Sequence, residues 1–281
     1  MFYLQDIIRN LEGFWSQRGC ALMQSHDVEV GAATLAPYTI FECIARKEWN
    51  VCHAQYCRRP TDGRFGENPN RLSGYYQFQV IMKPAPENIR AMYLESLASF
   101  GISSKTHDIR FVEDDWENPS IGASGLGFEV WINGMECTQW TYMQKIGGIE
   151  LDVIPCEITY GVERLAMYIQ NKTNIFDIEW NEKMKYGDVF SVRREYEYSE
   201  YYKNEASIEN IKRSFDECEF EAKRLCAKGL YYPAYEMCLK ASHYLNILDA
   251  RGSVSQFERA NYILRIRSAV KEICEKLLAR Q

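Results

Sequence analysis

The sequence predicts an α+β fold for the first two-thirds of the chain and a helical region for the last third. Strand-like segments dominate between about residues 51 and 142, whereas the last third shows only helical spacing and helix caps. The composition is that of a globular protein, with 46% hydrophobic, 14% aromatic and 26% charged residues among 281. The net charge of −6 argues against binding nucleic acid by general electrostatics alone.

The first elements are a helix and, after a mixed stretch, a strand. Apolar residues recur at three- and four-residue steps over residues 4–18, and Gly19 stands where that helix would end. Residues 75–82 form an extended run rich in aromatic and β-branched residues, closed by Pro84 and Pro86. We therefore predict a helix over 4–18 and a strand over 75–82.

The next elements alternate between the two periods. Residues 87–100 have helical spacing, and residues 107–112 are strand-like. A hairpin is predicted over residues 128–142, because Asn133-Gly134 is the strongest short signal for a two-residue turn. From residue 159 to about 170 the period is helical again.

The sequence changes character after about residue 180. Residues 181–205 are crowded with Tyr, Glu and Lys and are interpreted as a linker or irregular connection. Three helices are then predicted: residues 207–228, a helix from Pro233 to just before Gly252, and one from Ser255, where Glu258 completes a capping box. We divide the chain into a core of residues 1–180, a connecting segment of residues 181–206 and a helical domain of residues 207–281.

Cysteine usage and hydropathy indicate a soluble protein of the cytoplasm. No run approaches the roughly 18 apolar residues that a membrane span needs, and residues 1–18 are too charged for a signal peptide. The ten cysteines have no framework-like spacing, so we expect reduced, buried thiols. Cys52, His53 and Cys57 are the nearest approach to a zinc cluster, but a fourth ligand is not evident.

An arginine-rich loop is the densest chemical feature. Arg58, Arg59, Arg64 and Arg71 fall within a stretch punctuated by Gly, Pro and Asn and lead straight into the strand over 75–82. Arginine offers a permanent charge and a planar fork of donors suited to phosphate or carboxylate oxygens. A solvated basic loop is the alternative, but the turn residues and the adjacent aromatic strand favour a binding site for a polyanion.

The strand after this loop presents two different faces. Tyr75, Gln77 and Gln79 face one way, and Tyr76 and Phe78 face the other. One face is core and the other can offer an aromatic plate and amides to a ligand. Periodicity alone does not say which face is which, so Tyr75 and Phe78 stay rival candidates for stacking on a base.

The predicted hairpin places acids on one face. A two-residue turn pairs Glu129 with Thr138, so that one face carries Glu129, Trp131, Glu136, Thr138 and Trp140. Two converging carboxylates attract a hard cation such as Mg²⁺. Solvated glutamates are the alternative, which the flanking tryptophans disfavour.

Two further segments are relevant to a possible site. Residues 157–165 run from a strand through Gly161 into a helix, where Arg164 can reach an anion near the helix start, or else pair with Glu157 or Glu163 as a surface arginine. Residues 114–127, which include Trp116, form a glycine-rich loop in our interpretation. This loop matches neither the P-loop nor the dinucleotide-binding pattern.

The arginine loop with its strand, the acidic hairpin and the segment ending at Arg164 resemble, in this order, the signature regions of class II aminoacyl-tRNA synthetases. More closely, several strings are similar to the alpha subunit family of bacterial glycyl-tRNA synthetases, over about residues 4–180. These strings are RRPTDGRFGENPNRL, YYQFQV, HDIRFVEDDWENP, FEVWINGMECTQ and CEITYGVERLAMYI. One departure is that Glu157 and Thr159 stand where the family of class II enzymes usually has glycines.

The resemblance implies a fold, a reaction and partners. The fold is a class II antiparallel sheet flanked by helices, with a homodimer built on the helix 4–18 and the stretch to Pro37. The reaction is activation of glycine by ATP with Mg²⁺, followed by transfer to tRNA(Gly). A separate beta subunit would hold most of the tRNA and complete an α2β2 enzyme.

The resemblance also implies roles for individual residues. Catalytic roles fall to Arg58, Arg59 and Arg164. Nucleotide binding falls to Arg58, Glu67, Arg71, Tyr75, Phe78 and Arg164. Gln77, Trp116, Glu157 and Thr159 would form a small amino-acid pocket, and Glu129 and Glu136 would hold the metal. The rival hypotheses are a non-catalytic synthetase-like subunit that binds nucleotide or amino acid, and an adenylating enzyme with another amino acid or acceptor.

Overall fold

The computed structural model describes residues 2–280, which form one sheet covered by helices on both faces. The eight strands are in the order β1-β2-β3-β8-β6-β5-β4, with β7 paired to β6; only the β1/β2 pair is parallel. The strands are β1 (Ala21–Leu22), β2 (Trp49–Arg58), β3 (Gly74–Lys83), β4 (Ile109–Asn118), β5 (Ala123–Ile132), β6 (Met135–Ile146), β7 (Ile149–Glu150) and β8 (Cys156–Gly161).

The predicted fold class, an α+β core followed by helices, is confirmed. The helices are α1 (Leu4–Ser16), α2 (Pro37–Ala45), α3 (Ile89–Ala98), α4 (Val162–Gln170), α5 (Tyr186–Val189), α6 (Val192–Glu200), α7 (Ile208–Ala227), α8 (Tyr231–Ala250) and α9 (Gln256–Leu278). Ser255 and Glu258 form the predicted capping box of α9, in which Ser255 Oγ accepts from the Glu258 N–H at 3.2 Å. No helix within residues 2–280 has the length and apolar character that a membrane crossing requires.

One face of the sheet is closed by α1, α3 and α4. Leu4, Ile7, Leu11 and Trp15 are fully buried along one side of α1, which is why this segment is helical and amphipathic. They share an apolar cluster with Phe78 and other side chains of this sheet face. This face is the main hydrophobic core, and we call it the helix-covered face.

The opposite face is only partly covered. Here α2 and the C-terminal helices α7, α8 and α9 pack on one end of the strands, in a second apolar cluster that includes Val51, Ile81 and Met143. The C-terminal helices therefore share a core with the sheet. Beyond this cluster the sheet is open, and we call this the open face.

The segment interpreted as an irregular linker is mostly helical, so that interpretation is wrong. Residues 181–206 contain α5, α6 and a π-helical turn over Tyr201–Glu205. Ser191 caps α6 by accepting from the Arg194 N–H at 3.1 Å. Glu195 of α6 is buried and accepts from both the N–H and the hydroxyl of Ser73, each at 2.8 Å. These bonds fasten the segment to the start of β3.

The predicted glycine-rich loop over residues 114–127 is also wrong, because it is a hairpin of β4 and β5 with its turn at residues 119–122. The glycines are required by close packing within the sheet. A Cβ at Gly125 would collide with the carbonyl oxygen of Tyr142, and one at Gly127 with that of Trp140. The glycine-rich composition suggested a flexible loop. These positions instead require glycine because a side chain would clash with the neighbouring strand.

The hairpin of β5 and β6 has the predicted turn but not the predicted register. Asn133 and Gly134 both have positive φ, 47° and 85°, as a type I′ turn demands. A β-bulge between Val130 and Trp131 then shifts the pairing, so that Glu129 lies opposite Gln139 and not Thr138. Trp140 consequently lies in the core of the helix-covered face.

Candidate active site

A cavity of about 430 Å³ opens on the open face of the sheet, and it gathers most of the predicted site residues. By strand register, Tyr75 and Gln77 of β3 and Glu157 and Thr159 of β8 share this face. The predicted residues that line the cavity are Arg59, Arg71, Tyr75, Gln77, Trp116, Glu136, Glu157, Thr159 and Arg164. Arg58, Glu67, Phe78 and Glu129 are not among its lining residues.

Three arginines from distant segments converge on this cavity. Arg59 follows β2, Arg71 precedes β3 and Arg164 lies in the first turns of α4. Arg59 Nε donates to the Gly31 carbonyl at 2.8 Å, and Arg71 lies 3.6 Å from Asp62. Arg164 donates to the carboxylate of Glu136 at 2.8 Å and to its backbone carbonyl at 3.0 Å. Their guanidinium groups stay partly exposed, so they keep donors free for an anion.

Arg58 does not belong to this cavity, which corrects the hypothesis that it acts there. Successive residues of a strand point to opposite faces, and Arg59 takes the direction that leads into the cavity. The Arg58 side chain instead lies 3.9 Å from Glu29 and 5.7 Å from the ring of Tyr198, in a second cavity.

Strand parity also decides between the two stacking candidates. Phe78 is fully buried on the helix-covered face, where its ring meets that of Tyr160 edge-on, so it has no access to the cavity. Tyr75 lines the cavity, and the Arg59 guanidinium lies 5.2 Å from its ring centre. Glu67 is exposed in the loop before β3, outside the cavity lining.

A buried carboxylate forms part of the cavity wall near the second apolar cluster. Glu157 is 2% exposed and accepts from Thr34 Oγ1 at 2.5 Å and from the Gln79 amide. Burial raises the pKa of Glu157 to about 7, against the lowering by these two hydrogen bonds. Sequence reasoning missed Thr34 and Gln79 as partners, although Gln79 has the strand parity of Tyr75 and Gln77.

A second buried carboxylate, Glu163, was also missed. It was considered only as a surface partner of Arg164, but Arg164 pairs with Glu136 and Glu163 is 3% exposed. Glu163 Oε1 accepts from the Tyr76 N–H at 2.7 Å and from the Tyr186 hydroxyl at 3.0 Å. Burial raises its pKa to about 7. The available signal was its position between Gly161 and Arg164, directly after a buried strand.

The two predicted metal ligands differ in position. Glu136 lines the cavity beside Arg164, whereas Glu129 accepts from the Trp131 indole N–H at 3.0 Å. Within residues 2–280 no three His, Cys, Asp or Glu side chains are grouped to hold a metal. Mg²⁺ typically uses one or two carboxylates together with substrate phosphates. Of the two predicted ligands, only Glu136 lies in the wall of this cavity.

A comparison with protein families identifies the family of this chain. The family model of the glycyl-tRNA synthetase alpha subunit matches residues 4–281. The chain belongs to this family. It is therefore a glycine–tRNA ligase, the catalytic alpha subunit of a class II aminoacyl-tRNA synthetase, with ATP as a substrate. The family also implies a beta subunit as partner.

Two solved structures from Desulfitobacterium hafniense are similar to this chain. One is PylSc, a pyrrolysyl tRNA synthetase, with 12% identity, a TM-score of 0.49, and coverage of 66% of this chain and 73% of that one. The other is a pyrrolysyl-tRNA synthetase with 13% identity, a TM-score of 0.45, and coverage of 66% and 75% respectively.

Proposed function

We propose that the cavity on the open face binds ATP and glycine side by side and joins them as glycyl-adenylate. The observation that carries this proposal is the convergence of Arg59, Arg71 and Arg164 on one cavity that also has the buried Glu157 in its wall. Cationic forks suit a triphosphate, and a buried carboxylate suits an ammonium group. One cavity thus offers complementary charge to both substrates.

The glycine end lies at Glu157, with Gln77, Thr159 and Trp116 completing a small polar pocket. Each of the four lines the cavity, and Gln77 Oε1 is held by the Ala33 N–H at 2.8 Å. The ammonium group of glycine favours the ionised form of Glu157, whose pKa is raised by burial. Side chains at positions 157 and 159 fill space that glycine residues would leave open, which favours the smallest amino acid.

The nucleotide end lies toward the arginines. Arg59 binds the α-phosphate and the incoming carboxylate, while Arg71 and Arg164 bind the γ-phosphate end. Tyr75 is the aromatic contact for adenine, because Phe78 lies on the other face of the sheet. Glu129 and Glu136 would hold Mg²⁺, which when bound neutralises phosphate charge.

The reaction needs positioning and charge stabilisation and no covalent enzyme intermediate. A carboxylate oxygen of glycine forms a bond to the α-phosphorus while the bond to the bridging oxygen breaks, and pyrophosphate leaves with that electron pair. Arg59 holds the two reacting groups together and stabilises the charge that develops on the α-phosphate oxygens. In the second step glycine passes to a terminal hydroxyl of tRNA(Gly), and AMP is released.

Assembly and location are part of the proposal. We propose a homodimer of this chain within an α2β2 enzyme, with most tRNA contacts made by the beta subunit, in the cytoplasm. We also propose residues 1–180 as the catalytic unit, residues 181–206 as its connection, and residues 207–281 as a helical domain. The acidic net charge of −6 supports delegating tRNA to a partner.

The test is ATP–pyrophosphate exchange across the amino acids, with and without the beta subunit. Glycine-dependent exchange is expected, and Arg164→Ala should lower it by about 10³-fold because a phosphate contact is lost. Arg110→Ala is a matched control, since Arg110 is a surface arginine paired with Asp108. ATP binding with no exchange in either assembly would favour the non-catalytic alternative. Exchange driven by another amino acid would favour the other adenylating enzyme.

A further inference from the structure

A second cavity, of about 330 Å³, is separate from the proposed active site. It lies between the end of β2, the π-helical turn over Tyr201–Glu205 and α8. The tyrosine-rich segment that has no role in glycine activation supplies three of its side chains, Tyr198, Tyr201 and Tyr202. No residue of that segment lines the first cavity.

Arg58 and Arg59 are both bonded to the Val30–Gly31 segment, but their side chains line different cavities. Arg58 N–H donates to the Val30 carbonyl at 2.8 Å, and Arg59 Nε donates to the Gly31 carbonyl at 2.8 Å. Arg58 lines the second cavity and Arg59 lines the first. Adjacent arginines therefore serve different cavities, and a ligand in one does not occupy the other.

The tyrosines offer an aromatic surface with free hydroxyls. The rings of Tyr198 and Tyr202 are stacked, with centres 5.7 Å apart and planes 27° apart, and Tyr201 lies 5.4 Å from Tyr202. Tyr201 is 42% exposed, so part of its side chain is accessible to a ligand. Stacked aromatic side chains of this kind are a sequence-tolerant platform for a nucleobase.

The charge of the cavity suits an anion. Arg58 and Lys240 are its cations, and Glu29 is its one carboxylate, at the long distance of 3.9 Å from Arg58. Lys240 makes no ion pair with any residue in the described range 2–280. Burial lowers the pKa of His243 to about 4, so this histidine is neutral at pH 7. One positive charge is left uncompensated.

We propose that this second cavity binds a nucleotide unit, with its base against the tyrosines and its phosphate on Arg58 and Lys240. A free mononucleotide and a nucleotide within a single RNA strand share this chemistry. The proposal does not depend on the roles assigned to residues of the first cavity. It gives a function to the tyrosine-rich segment and a role to Lys240, which lines this cavity without an ion-pair partner among the described residues.

The experiment is calorimetric titration of the full chain with AMP, and separately with a 5′-phosphorylated ribotrinucleotide. A non-hydrolysable glycyl-adenylate analogue is present at saturation to fill the first cavity. We expect one remaining site, weakened about tenfold by Tyr201→Ser and by Lys240→Met. ATP–pyrophosphate exchange should be unchanged in both variants, because neither side chain lines the first cavity.

The controls are Tyr196→Ser, another exposed tyrosine of the same segment, and Lys228→Met, an exposed lysine of the helical region. Tighter binding of the trinucleotide would identify an RNA strand as the source of the nucleotide, and tighter binding of AMP would identify a free nucleotide. The proposal is overturned if neither probe binds, or if Tyr201→Ser and Lys240→Met bind as the wild type does.

Discussion

The two faces of the central sheet use the same strands for opposite purposes. On β3, Phe78 and Val80 are fully buried against helices, while Tyr75 and Gln77, on the same ten-residue strand, line the proposed active site. The helix-covered face is apolar and closed, and the open face carries buried polar groups such as Glu157 and Thr159. Alternate residues of β3 therefore contribute either to the hydrophobic core or to the proposed active site.

Substitution of the two adjacent arginines is expected to have the largest effect and to separate the two cavities. Arg59→Ala should lower ATP–pyrophosphate exchange by about 10³-fold, or about 4 kcal/mol, because it removes a cation from the reacting phosphate. Arg58→Ala should leave exchange near the wild-type rate, since its side chain lies in the second cavity. Equal losses in the two variants would show that both side chains reach the substrate.

Adjacent residues of β3 provide the next test. Phe78→Ala should lower the free energy of unfolding by about 3–5 kcal/mol, because it leaves a cavity in the core. Gln77→Ala should cost about 1 kcal/mol through the lost bond to the Ala33 N–H, while raising the KM for glycine. Urea denaturation and exchange kinetics measure the two effects. An unstable Gln77→Ala with an unchanged KM would assign Gln77 to the core instead.

The alternation of side chains along the strand predicted which residues share a face of the sheet. It did not predict which face is the core. The pattern of residues 75–80 placed Tyr75 and Phe78 on different faces without saying which was core, and Arg58 and Arg59 were equally eligible. Long-range packing by α1, α3 and α4 makes that choice, and it is not visible in the local sequence. The Asn133-Gly134 turn was predictable because positive φ favours these residues.

Two kinds of feature were not predicted from the sequence. One is the β-bulge, which depends on one extra residue in a strand, and the other is contacts between buried side chains and distant residues. The β-bulge at Val130 and Trp131 moves Trp140 to the core, and no composition signal marks it. The tyrosine-rich segment packs beside the start of β3 through the buried Glu195, a charged residue that sequence reasoning places on the surface. Thr34 approaches Glu157 across 123 positions, a proximity that only the fold creates.

A further prediction concerns Glu163, a buried acid that also lines the first cavity. Its pKa is raised from 4.5 unfolded to about 7 folded, chiefly by burial. The folded state therefore binds a proton that the unfolded state has lost between these values, so stability falls as pH rises from about 4.5 to about 7. Gln at this position keeps an acceptor for Tyr76 and Tyr186 and does not titrate.

Glu163→Gln should consequently gain stability relative to the wild type as pH rises, by on the order of 2–3 kcal/mol between pH 5 and 8. The measurement is the free energy of unfolding in urea at several pH values. Glu157 titrates in both proteins and cancels in the difference. Glu258→Gln is the control, because the pKa of that exposed capping residue is lowered and it stays ionised throughout this range. A difference that stays constant for Glu163→Gln would contradict the raised pKa and would mean that Glu163 is already ionised at pH 5 in the folded protein.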